Sequence, residues 1–263
     1  MLHKLIITAL SVILISGCAT KIDRGSFREG FRSLNNTPHG YQVINDPTGS
    51  APTPYIEKFE VRHGDCGVID SWSDCATDRE RSEIHTGSDN YDGSEYWYGW
   101  SLYLPSDFPN LFPVNQTLGQ FHQEGNPRGC SSFLFEQAKY NFIIDRQVNC
   151  AAQQEVNLLP NEELLGKWNK FEVHAKWSNK DDGYFDMYVN GDLKYNYKGR
   201  TMYGTVIYMK YGIYRGFLKR YCNVVHDCSG SKTVPTQIAY YANVKRAKTR
   251  EGLAPTPPTV QGN

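Results

Sequence analysis

The sequence lacks an excess of charge of either sign. It contains 28 lysines and arginines and 28 aspartates and glutamates in 263 residues, which gives a formal net charge of zero. Without residues 1–17, which contain only Lys4 from this charged set, 27 basic and 28 acidic residues remain. A general nucleic-acid binder needs a strong basic excess, so this class is excluded. An anionic polymer would have to be bound by a local basic cleft.

No apolar run is long enough to span a bilayer comfortably. The run from Leu5 to Ile15 follows a short basic start and precedes Ser16, Gly17 and Cys18. This arrangement resembles a bacterial lipoprotein signal over residues 1–17, which implies lipidation of the Cys18 thiol and anchoring in the cell envelope. Alanine rather than aspartate at position 19 favours the outer membrane by resemblance to enterobacterial sorting rules. An ordinary signal peptide or an N-terminal membrane anchor is the alternative.

The cysteine spacings of structural zinc sites, such as CxxC, are also missing. With Cys18 set aside for lipid, six cysteines remain, and export would allow them to form disulfides. Six cysteines permit 15 pairings. We predict that each cysteine pairs with its near neighbour, as Cys66/Cys75, Cys130/Cys150 and Cys222/Cys228.

Long helical patterns and internal repeats are absent, which argues against solenoids and propellers. Aromatic and β-branched runs bounded by Gly, Asn, Asp and Pro instead predict strands at 56–63, 96–104, 117–123, 132–135, 141–145, 170–177, 183–189, 192–198, 206–215 and 237–246. The dipeptide Asn190-Gly191 predicts a hairpin turn. Short helices are expected at 161–165 and 107–112. Many short strands with little helix indicate an all-β sandwich or jelly roll.

The sandwich is predicted to form one domain over residues 51–250. Residues 18–50 are rich in Gly, Asn, Ser, Thr and Pro and are interpreted as a tether with an edge strand near residues 41–44. Residues 251–263 form a proline-rich tail that cannot pair as a central strand. We expect a monomer.

Residues 208–215 alternate polar and apolar side chains in an unusual way. A strand would divide them between its faces, with Tyr208, Lys210, Gly212 and Tyr214 on one and Met209, Tyr211, Ile213 and Arg215 on the other. One face then presents two phenols and an ammonium. A strand packed only for stability would more often place apolar side chains on its buried face. A tyrosine-rich strand of an ordinary sheet is the alternative interpretation.

Two shorter segments supply side chains of matching chemistry. Arg81, Glu83 and His85 alternate along one segment, and Gln120 and His122 along another. These groups suit β-elimination of a uronic acid. An Arg and an amide offset the charge of the substrate carboxylate and so acidify the C5 proton. His and Tyr suit the base that takes this proton and the acid that protonates the leaving O4, and Lys210 would favour a tyrosinate.

In this order, Arg-Ser-Glu, Gln-Phe-His and Tyr-Met-Lys-Tyr-Gly-Ile-Tyr resemble the signature segments of the family 7 alginate lyases, which are Arg-x-Glu, Gln-x-His and Tyr-x-Lys-x-Gly-x-Tyr. Residues 166–171, 182–183 and 188–191 resemble the heparin lyase I and glucuronan lyase families. The resemblance covers about residues 80–246. It implies a concanavalin-like jelly roll and a polysaccharide lyase that acts on an acidic polysaccharide.

The resemblance also implies roles for single residues. Arg81 and Gln120 would neutralise the carboxylate, His122 would be the base or its helper, and Tyr214 would be the acid or both acid and base. Tyr208 and Lys210 would line the substrate site, and Glu83 would orient Arg81. We also assign Arg215 and His85 to substrate binding, although both depart from the family pattern. One tyrosine could serve both roles in glucuronate or mannuronate, where the C5 proton and O4 leave from the same side. In iduronate or guluronate they leave from opposite faces, which suits His122 as base and Tyr214 as acid.

The sequence departs from the family 7 pattern at three positions. His85 stands in place of a second Arg, Tyr211 in place of Ala before the glycine, and Arg215 in place of Asn. These departures favour a glucuronan- or glycosaminoglycan-like polymer over alginate.

Two other functions are alternatives to the lyase. A glycoside hydrolase of the laminarinase type uses a Glu-x-Asp-x-x-Glu run, which the sequence lacks. A non-catalytic carbohydrate-binding lipoprotein would explain Trp97, Tyr98 and Trp100 by stacking, but would not explain a Gln-His pair facing a Lys-Tyr strand. The lyase resemblance implies no required cofactor. Structural calcium occurs in some relatives, although no EF-hand-like spacing is present here.

Overall fold

Two antiparallel sheets form most of the computed structural model, which describes residues 22–28, 30–33, 35–69, 72–125, 129–225, 228 and 233–256. The strands in these residues are β1 (Phe31–Ser33), β2 (Tyr41–Asn45), β3 (Tyr55–Val61), β4 (Val68–Ile69), β5 (Trp72–Ser73), β6 (Arg79–His85), β7 (Asn90–Tyr91), β8 (Glu95–Tyr103), β9 (Gln116–Glu124), β10 (Cys130–Gln137), β11 (Asn141–Arg146), β12 (Gln154–Pro160), β13 (Trp168–Lys176), β14 (Tyr184–Val189), β15 (Asp192–Lys198), β16 (Val206–Gly216) and β17 (Gln237–Ala247). The helices are α1 (Asn161–Leu164) and α2 (Leu218–Val224), with short 3-10 helices at Cys75–Thr77 and Glu251–Leu253.

The strands divide into two large sheets and one small hairpin. One sheet has the order β1-β6-β16-β9-β10-β11-β12, with β7 also pairing with β16. The other has the order β15-β14-β13-β8-β17-β3-β2, and β4 pairs only with β5. Neighbours that are distant in sequence, such as β6, β16 and β9, therefore lie side by side. This topology is that of a sandwich, as the sequence predicted.

Aromatic side chains fill the space between the two large sheets. Phe133 of the first sheet stacks on Phe185 of the second, with ring centroids 4.0 Å apart and neither side chain exposed. Phe121 and Tyr98 meet edge to face at 4.8 Å. Burying such side chains stabilises the fold by roughly 1.5–3 kcal/mol each, so this layer is the main source of stability. The inner face of the first sheet is thus committed to packing, and only its outer face is available for a site.

Most strands predicted from the sequence are confirmed within a few residues. The Asn190-Gly191 turn between β14 and β15 is also confirmed, and both residues have the positive φ that a type I′ turn requires, 52° and 96°. The helix at 161–165 is present as α1. The helix expected at 107–112 is not formed, and this segment consists of turns and irregular backbone. Pro109 within it and Pro113 just after it disfavour a helix. Strand β12, the short strands β1, β4, β5 and β7, and helix α2 were not predicted.

The N-terminal segment packs more closely than a tether would. Strand β1 pairs with β6, and β2 pairs with β3 at the predicted edge. Phe27 is 8% exposed within the core, and Arg24 forms an ion pair of 2.6 Å with Glu57. At the other end, Leu253 is buried. The predicted tether, residues 18–50, and the start of the tail, residues 251–263, are therefore partly integrated into the sandwich.

The three predicted disulfides, Cys66–Cys75, Cys130–Cys150 and Cys222–Cys228, are present. The first closes the loop that carries β4 and β5 beside β6. The predicted signal sequence and Cys18 lie outside the described residues. Within the described ranges, no helix has the length and apolarity needed to cross a membrane.

Candidate active site

A cleft of about 820 Å³ lies over the outer face of the sheet that contains β16. Strands β6, β9, β10, β11 and β16 form its floor. Its rim includes Ile69 and Trp72 from the Cys66–Cys75 loop, and Phe217 and Arg220 from the start of α2. Because the inner face of this sheet belongs to the core, the alternation of each strand sends its other side chains into the cleft.

The register of three neighbouring strands brings the predicted segments together. Strand β6 pairs with one edge of β16, which places Arg81 opposite Tyr214 and His85 opposite Lys210. Strand β9 pairs with the other edge, which places Gln120 opposite Lys210 and His122 opposite Tyr208. The cleft is lined by Arg81, Gln120, His122, Lys210 and Tyr214. The structure therefore unites the catalytic candidates that the sequence analysis chose.

A bulge between β9 and β16 adjusts this register. The pairing shifts between Tyr211 and Tyr214, so that two residues of β16, Gly212 and Ile213, lie opposite the single Leu118 of β9. Gly212 lies in the bulge with φ of 129°, and a Cβ there would meet the Ser82 carbonyl oxygen at 2.3 Å. Only glycine fits this position. Strand β9 also carries one residue more than β10, because Gly119 and Thr117 pair with the consecutive residues Phe135 and Glu136. Leu118 therefore remains in the core while Thr117 joins Gln120 in lining the cleft.

Arg81 is held by two buried carboxylates. Its Nε and Nη2 donate to the two oxygens of Asp74, at 2.9 and 2.7 Å, and its Nη1 donates to Glu83 at 3.2 Å. Asp74 is 0% exposed and Glu83 is 2% exposed. Burial lowers the pKa of Arg81, but Glu83 and Asp74 outweigh burial and raise it. The guanidinium is therefore a fixed positive charge at the cleft.

Gln120 and Lys210 lie beside this ion network. Gln120 Nε2 donates to Glu83 at 2.7 Å, and its Oε1 accepts from the Ser131 hydroxyl. Lys210 Nζ lies 5.8 Å from the centroid of the Tyr208 ring. Burial lowers the pKa of Lys210, although Glu83 opposes this effect. A substrate carboxylate that enters the cleft would stabilise the charged ammonium of Lys210.

Three of the cleft's cations lack an anionic partner among the residues that the structure describes. No carboxylate of the described residues lies within 4.0 Å of the charged nitrogens of Arg79, Lys210 or Arg220. All three side chains line the cleft. Positive charge that the protein itself does not pair is available to a bound anion.

His122 is a neutral imidazole in this setting. Burial, followed by the charge of Lys210, lowers its pKa to about 3. Its Nδ1 lies 3.0 Å from the Tyr208 hydroxyl. Burial raises the pKa of Tyr208, so this phenol is protonated and we infer that it donates to Nδ1. The imidazole proton then resides on Nε2, which makes His122 a hydrogen-bond donor there.

Tyr214 lies between two guanidinium groups. Arg79 Nε donates to its hydroxyl oxygen at 2.7 Å, and Arg81 Cζ lies 4.4 Å from its ring centroid. Burial raises the pKa of Tyr214, whereas Arg81 and Arg79 lower it and limit that rise. Because Arg79 already donates to this oxygen, the phenolic proton must point away from Arg79.

Four predicted substrate-binding residues do not line the cleft. Tyr208, Glu83 and His85 instead contact residues that do, and the ring of His85 stacks on Tyr208 at 4.0 Å. Burial and the charge of Lys210 lower the pKa of His85 to about 4. Glu83 orders Arg81 and Gln120, which agrees with the orienting role assigned to it.

Arg215 is the clearest correction to the predicted site. It is 0% exposed and points to the opposite face of β16 from Tyr214. There it pairs with Glu80 at 2.6 Å and donates to the Pro235 carbonyl. A role in substrate binding does not fit this position.

Residues that were not predicted from the sequence also line the cleft or hold the side chains that line it. Asp74 and Trp72 come from the disulfide loop, and nothing in their local sequence indicates that the loop folds beside Arg81. Arg79 continues the alternation of Arg81 and Glu83, and this signal could have found it. Glu136 lies at the β10 side of the cleft, where burial raises its pKa to about 7.

No group of three or more His, Cys, Asp or Glu side chains in the described part of the chain is arranged to hold a metal ion. Structural calcium therefore stays a prediction. The aromatic residues proposed for a binding module are placed elsewhere, since Tyr98 and Trp100 are in the core and Trp97 stacks on His174 of the other sheet at 4.3 Å.

Comparisons with known proteins agree with this arrangement. Residues 18–245 match a family model described as polysaccharide lyase. A similar solved structure is an endo-β-1,4-glucuronan lyase from the fungus Trichoderma reesei, with 17% identity, a TM-score of 0.58, and coverage of 86% of this chain and 96% of that one. An alginate lyase from Pseudomonas aeruginosa has 12% identity, a TM-score of 0.51, and coverage of 79% and 86%. These identities show a shared fold. A search of curated proteins found no match.

The depressed pKa of His122 predicts a loss of stability in acid. The unfolded imidazole binds a proton near pH 6.5, whereas the folded one stays neutral down to about pH 3. Between these values the unfolded state binds more protons, so a falling pH favours unfolding. We expect the melting temperature of wild type to fall more steeply than that of His122→Gln between pH 6.5 and 4. Equal slopes would contradict the buried neutral imidazole.

Proposed function

Because this chain belongs to the polysaccharide lyase family, we propose that its cleft cleaves a polymer containing uronic acid by β-elimination. The main support is the positive charge of the cleft. Arg79, Lys210 and Arg220 face it without carboxylate partners within 4.0 Å among the described residues. A chain of uronates would supply the missing anions.

The reaction moves one proton and breaks one bond of the sugar chain. A base removes the proton from C5, and the electron pair of that C–H bond forms a double bond between C4 and C5. The C4–O4 bond breaks, and O4 leaves with a proton from an acid. The negative charge that develops on the carboxylate during proton removal must be stabilised, which is the task of nearby hydrogen-bond donors and cations.

We assign the carboxylate to the middle of the cleft. Lys210 and Gln120 lie opposite each other in the pairing of β16 and β9, and Arg81 lies on β6 across β16. His122 adds the Nε2 donor. An imidazole with a pKa of about 3 is a weak base, so donation to the carboxylate is its better role.

We assign both proton transfers to Tyr214. Its phenolate would take the C5 proton. The resulting phenol would then give that proton to O4, which regenerates the phenolate. Arg79 and Arg81 both favour the phenolate. One residue can act twice only when the proton and O4 leave from the same side, which is the geometry of glucuronate and mannuronate.

Glucuronate is the preferred candidate in this proposal, in a glucuronan- or glycosaminoglycan-like polymer. The fold shared with a fungal glucuronan lyase supports it. Two of the three departures from the alginate lyase pattern, Tyr211 and Arg215, face away from the cleft. They therefore do not help to distinguish a glucuronate polymer from alginate. The third, His85, lies behind Tyr208 and remains relevant.

A panel of polymers tests the activity and the role of Tyr214 together. Wild type should generate unsaturated ends, which absorb in the near ultraviolet, from at least one of glucuronan, hyaluronan, heparan sulfate, heparin and alginate. On that polymer, Tyr214→Phe should lower kcat by about 10²- to 10⁴-fold, because it removes the proton carrier. Tyr140→Phe, at an exposed position outside the cleft, is the matched control and should retain the rate. Retention of wild-type rate by Tyr214→Phe would refute the assignment.

We also propose that Cys18 carries a lipid that anchors the enzyme in the bacterial outer membrane. The support is the sequence pattern of residues 1–19. In a bacterial host, the wild-type chain should incorporate labelled palmitate and sediment with membranes, whereas Cys18→Ser should do neither. An unlabelled wild-type chain would contradict the proposal.

A further inference from the structure

Arg79, which contacts Tyr214, is held in place by several other contacts. Arg79 Nε donates to the Tyr214 hydroxyl oxygen at 2.7 Å, and its Nη1 donates to the Thr77 carbonyl. Its Cζ lies 5.6 Å from the Trp72 ring centroid and 5.1 Å from that of Phe217. A carbonyl and two rings therefore fix the guanidinium while leaving its charge unneutralised.

The residues that flank Arg79 come from separate parts of the chain. Trp72 belongs to the Cys66–Cys75 loop, where its indole nitrogen donates to Asp74 at 3.1 Å. Phe217 begins α2 with φ of 57° and ψ of 40°, a left-handed conformation that is costly for a bulky side chain. Its ring is 50% exposed at the rim of the cleft. Backbone strain of this kind persists where the surrounding structure imposes it, often at functional sites.

We propose that Arg79 is a positioning residue that directs the Tyr214 hydroxyl and stabilises its phenolate during the lyase reaction. This inference rests on the proposed role of Tyr214. The hydrogen bond places one N–H on the oxygen that must carry negative charge. A donor to the charged form favours that form, and charge-assisted hydrogen bonds are the stronger ones. Trp72 and Phe217 keep the donor in place, so the bond does not depend on substrate.

Among the described groups around Tyr214, Arg79 alone donates a hydrogen bond to the phenol oxygen. On β6, Arg81 lies over the phenol ring and Glu83 acts electrostatically from further away. On β9, the residue opposite Tyr214 is the uncharged Thr117. Along β16 itself, Lys210 lies four residues away. Arg81 is occupied by Asp74 and Glu83, so Arg79 is the cation that addresses the oxygen directly.

Arg79→Met and Arg79→Lys test the proposal by their pH dependence. Loss of the hydrogen bond should lower kcat near neutral pH about ten- to a hundredfold. Loss of this donor should also shift the pH profile of kcat, so that kcat rises at higher pH than in wild type. The reason is that the Tyr214 phenol then loses its proton only at higher pH. Arg79→Lys, which retains charge without the fixed fork, should recover part of the loss.

Arg220→Met is the matched control. Arg220 also lines the cleft without an ion pair and stacks on Phe217 at 4.8 Å, but it makes no contact with Tyr214 among the described residues. It should raise KM and leave the pH dependence of kcat unchanged. A change of KM alone in Arg79→Met would reduce Arg79 to a binding residue and overturn the proposal.

A second readout separates this inference from the lyase assignment. NMR of protein labelled with ¹³Cζ-tyrosine, with the Tyr214 signal identified from Tyr214→Phe, follows the phenol without any substrate. The Tyr214 signal should titrate at higher pH in Arg79→Met than in wild type. If it titrates at the same pH in both, the proposal fails whatever the activity. If the Tyr214 signal titrates at higher pH in Arg79→Met while Tyr214→Phe remains active, Arg79 does stabilise the phenolate, but Tyr214 is not the proton carrier of the reaction.

Discussion

Arg81 carries a buried positive charge on which the order of the cleft depends. Asp74 and Glu83 hold it from two directions, and Glu83 in turn receives the amide of Gln120. Removing one partner of a buried ion pair costs about 3–5 kcal/mol, because the other charge is left uncompensated. The network therefore acts as a rigid support. It fixes the guanidinium over the Tyr214 ring and the amide beside Lys210 before any substrate arrives.

The same sheet forms one wall of the core and the floor of the cleft, and two irregularities in its strand pairing, in β9 and in β16, make this possible. Strict alternation along β9 would put Leu118 and Gln120 on one face, yet Leu118 packs in the core and Gln120 lines the cleft. The extra residue of β9 relative to β10, at Leu118, changes this alternation. In β16, the bulge at Gly212 brings Tyr214 opposite Thr117, and it requires a glycine for both its backbone conformation and its lack of a side chain.

The sequence allowed prediction of those features that depend only on neighbouring residues along the chain. Alternation placed Lys210 and Tyr214 on one face, and the turn residues Asn190 and Gly191 located a hairpin. Alternation also placed Arg215 on the face opposite Tyr214, as the structure has it. Its predicted role in substrate binding was wrong, because its partner Glu80 and the Pro235 carbonyl meet it only in the folded sandwich. The part played by Asp74 and Trp72 was equally hidden, since it depends on where a disulfide loop folds. The N-terminal segment looked like a tether because its pairing partners lie far along the chain.

The division of roles between His122 and Tyr214 follows from their surroundings. A buried imidazole beside Lys210 is a poor proton acceptor. Burial raises the pKa of the Tyr214 phenol, but the two guanidinium groups beside it lower that pKa and so favour the phenolate over what burial alone would allow. One tyrosine that moves a proton from C5 to O4 would make the enzyme selective for sugars in which both leave from one side. Selectivity among epimers would then come from the position of a single oxygen.

The pH dependence of kcat/KM for the wild-type enzyme tests this account most directly. If the Tyr214 phenolate is the base, kcat/KM should rise about tenfold per pH unit across the neutral range, since the pKa of this phenol lies above its ordinary value of 10.0. If neutral His122 were the base, the rate would be level across the same range and fall only toward pH 3. A level profile would contradict the central claim.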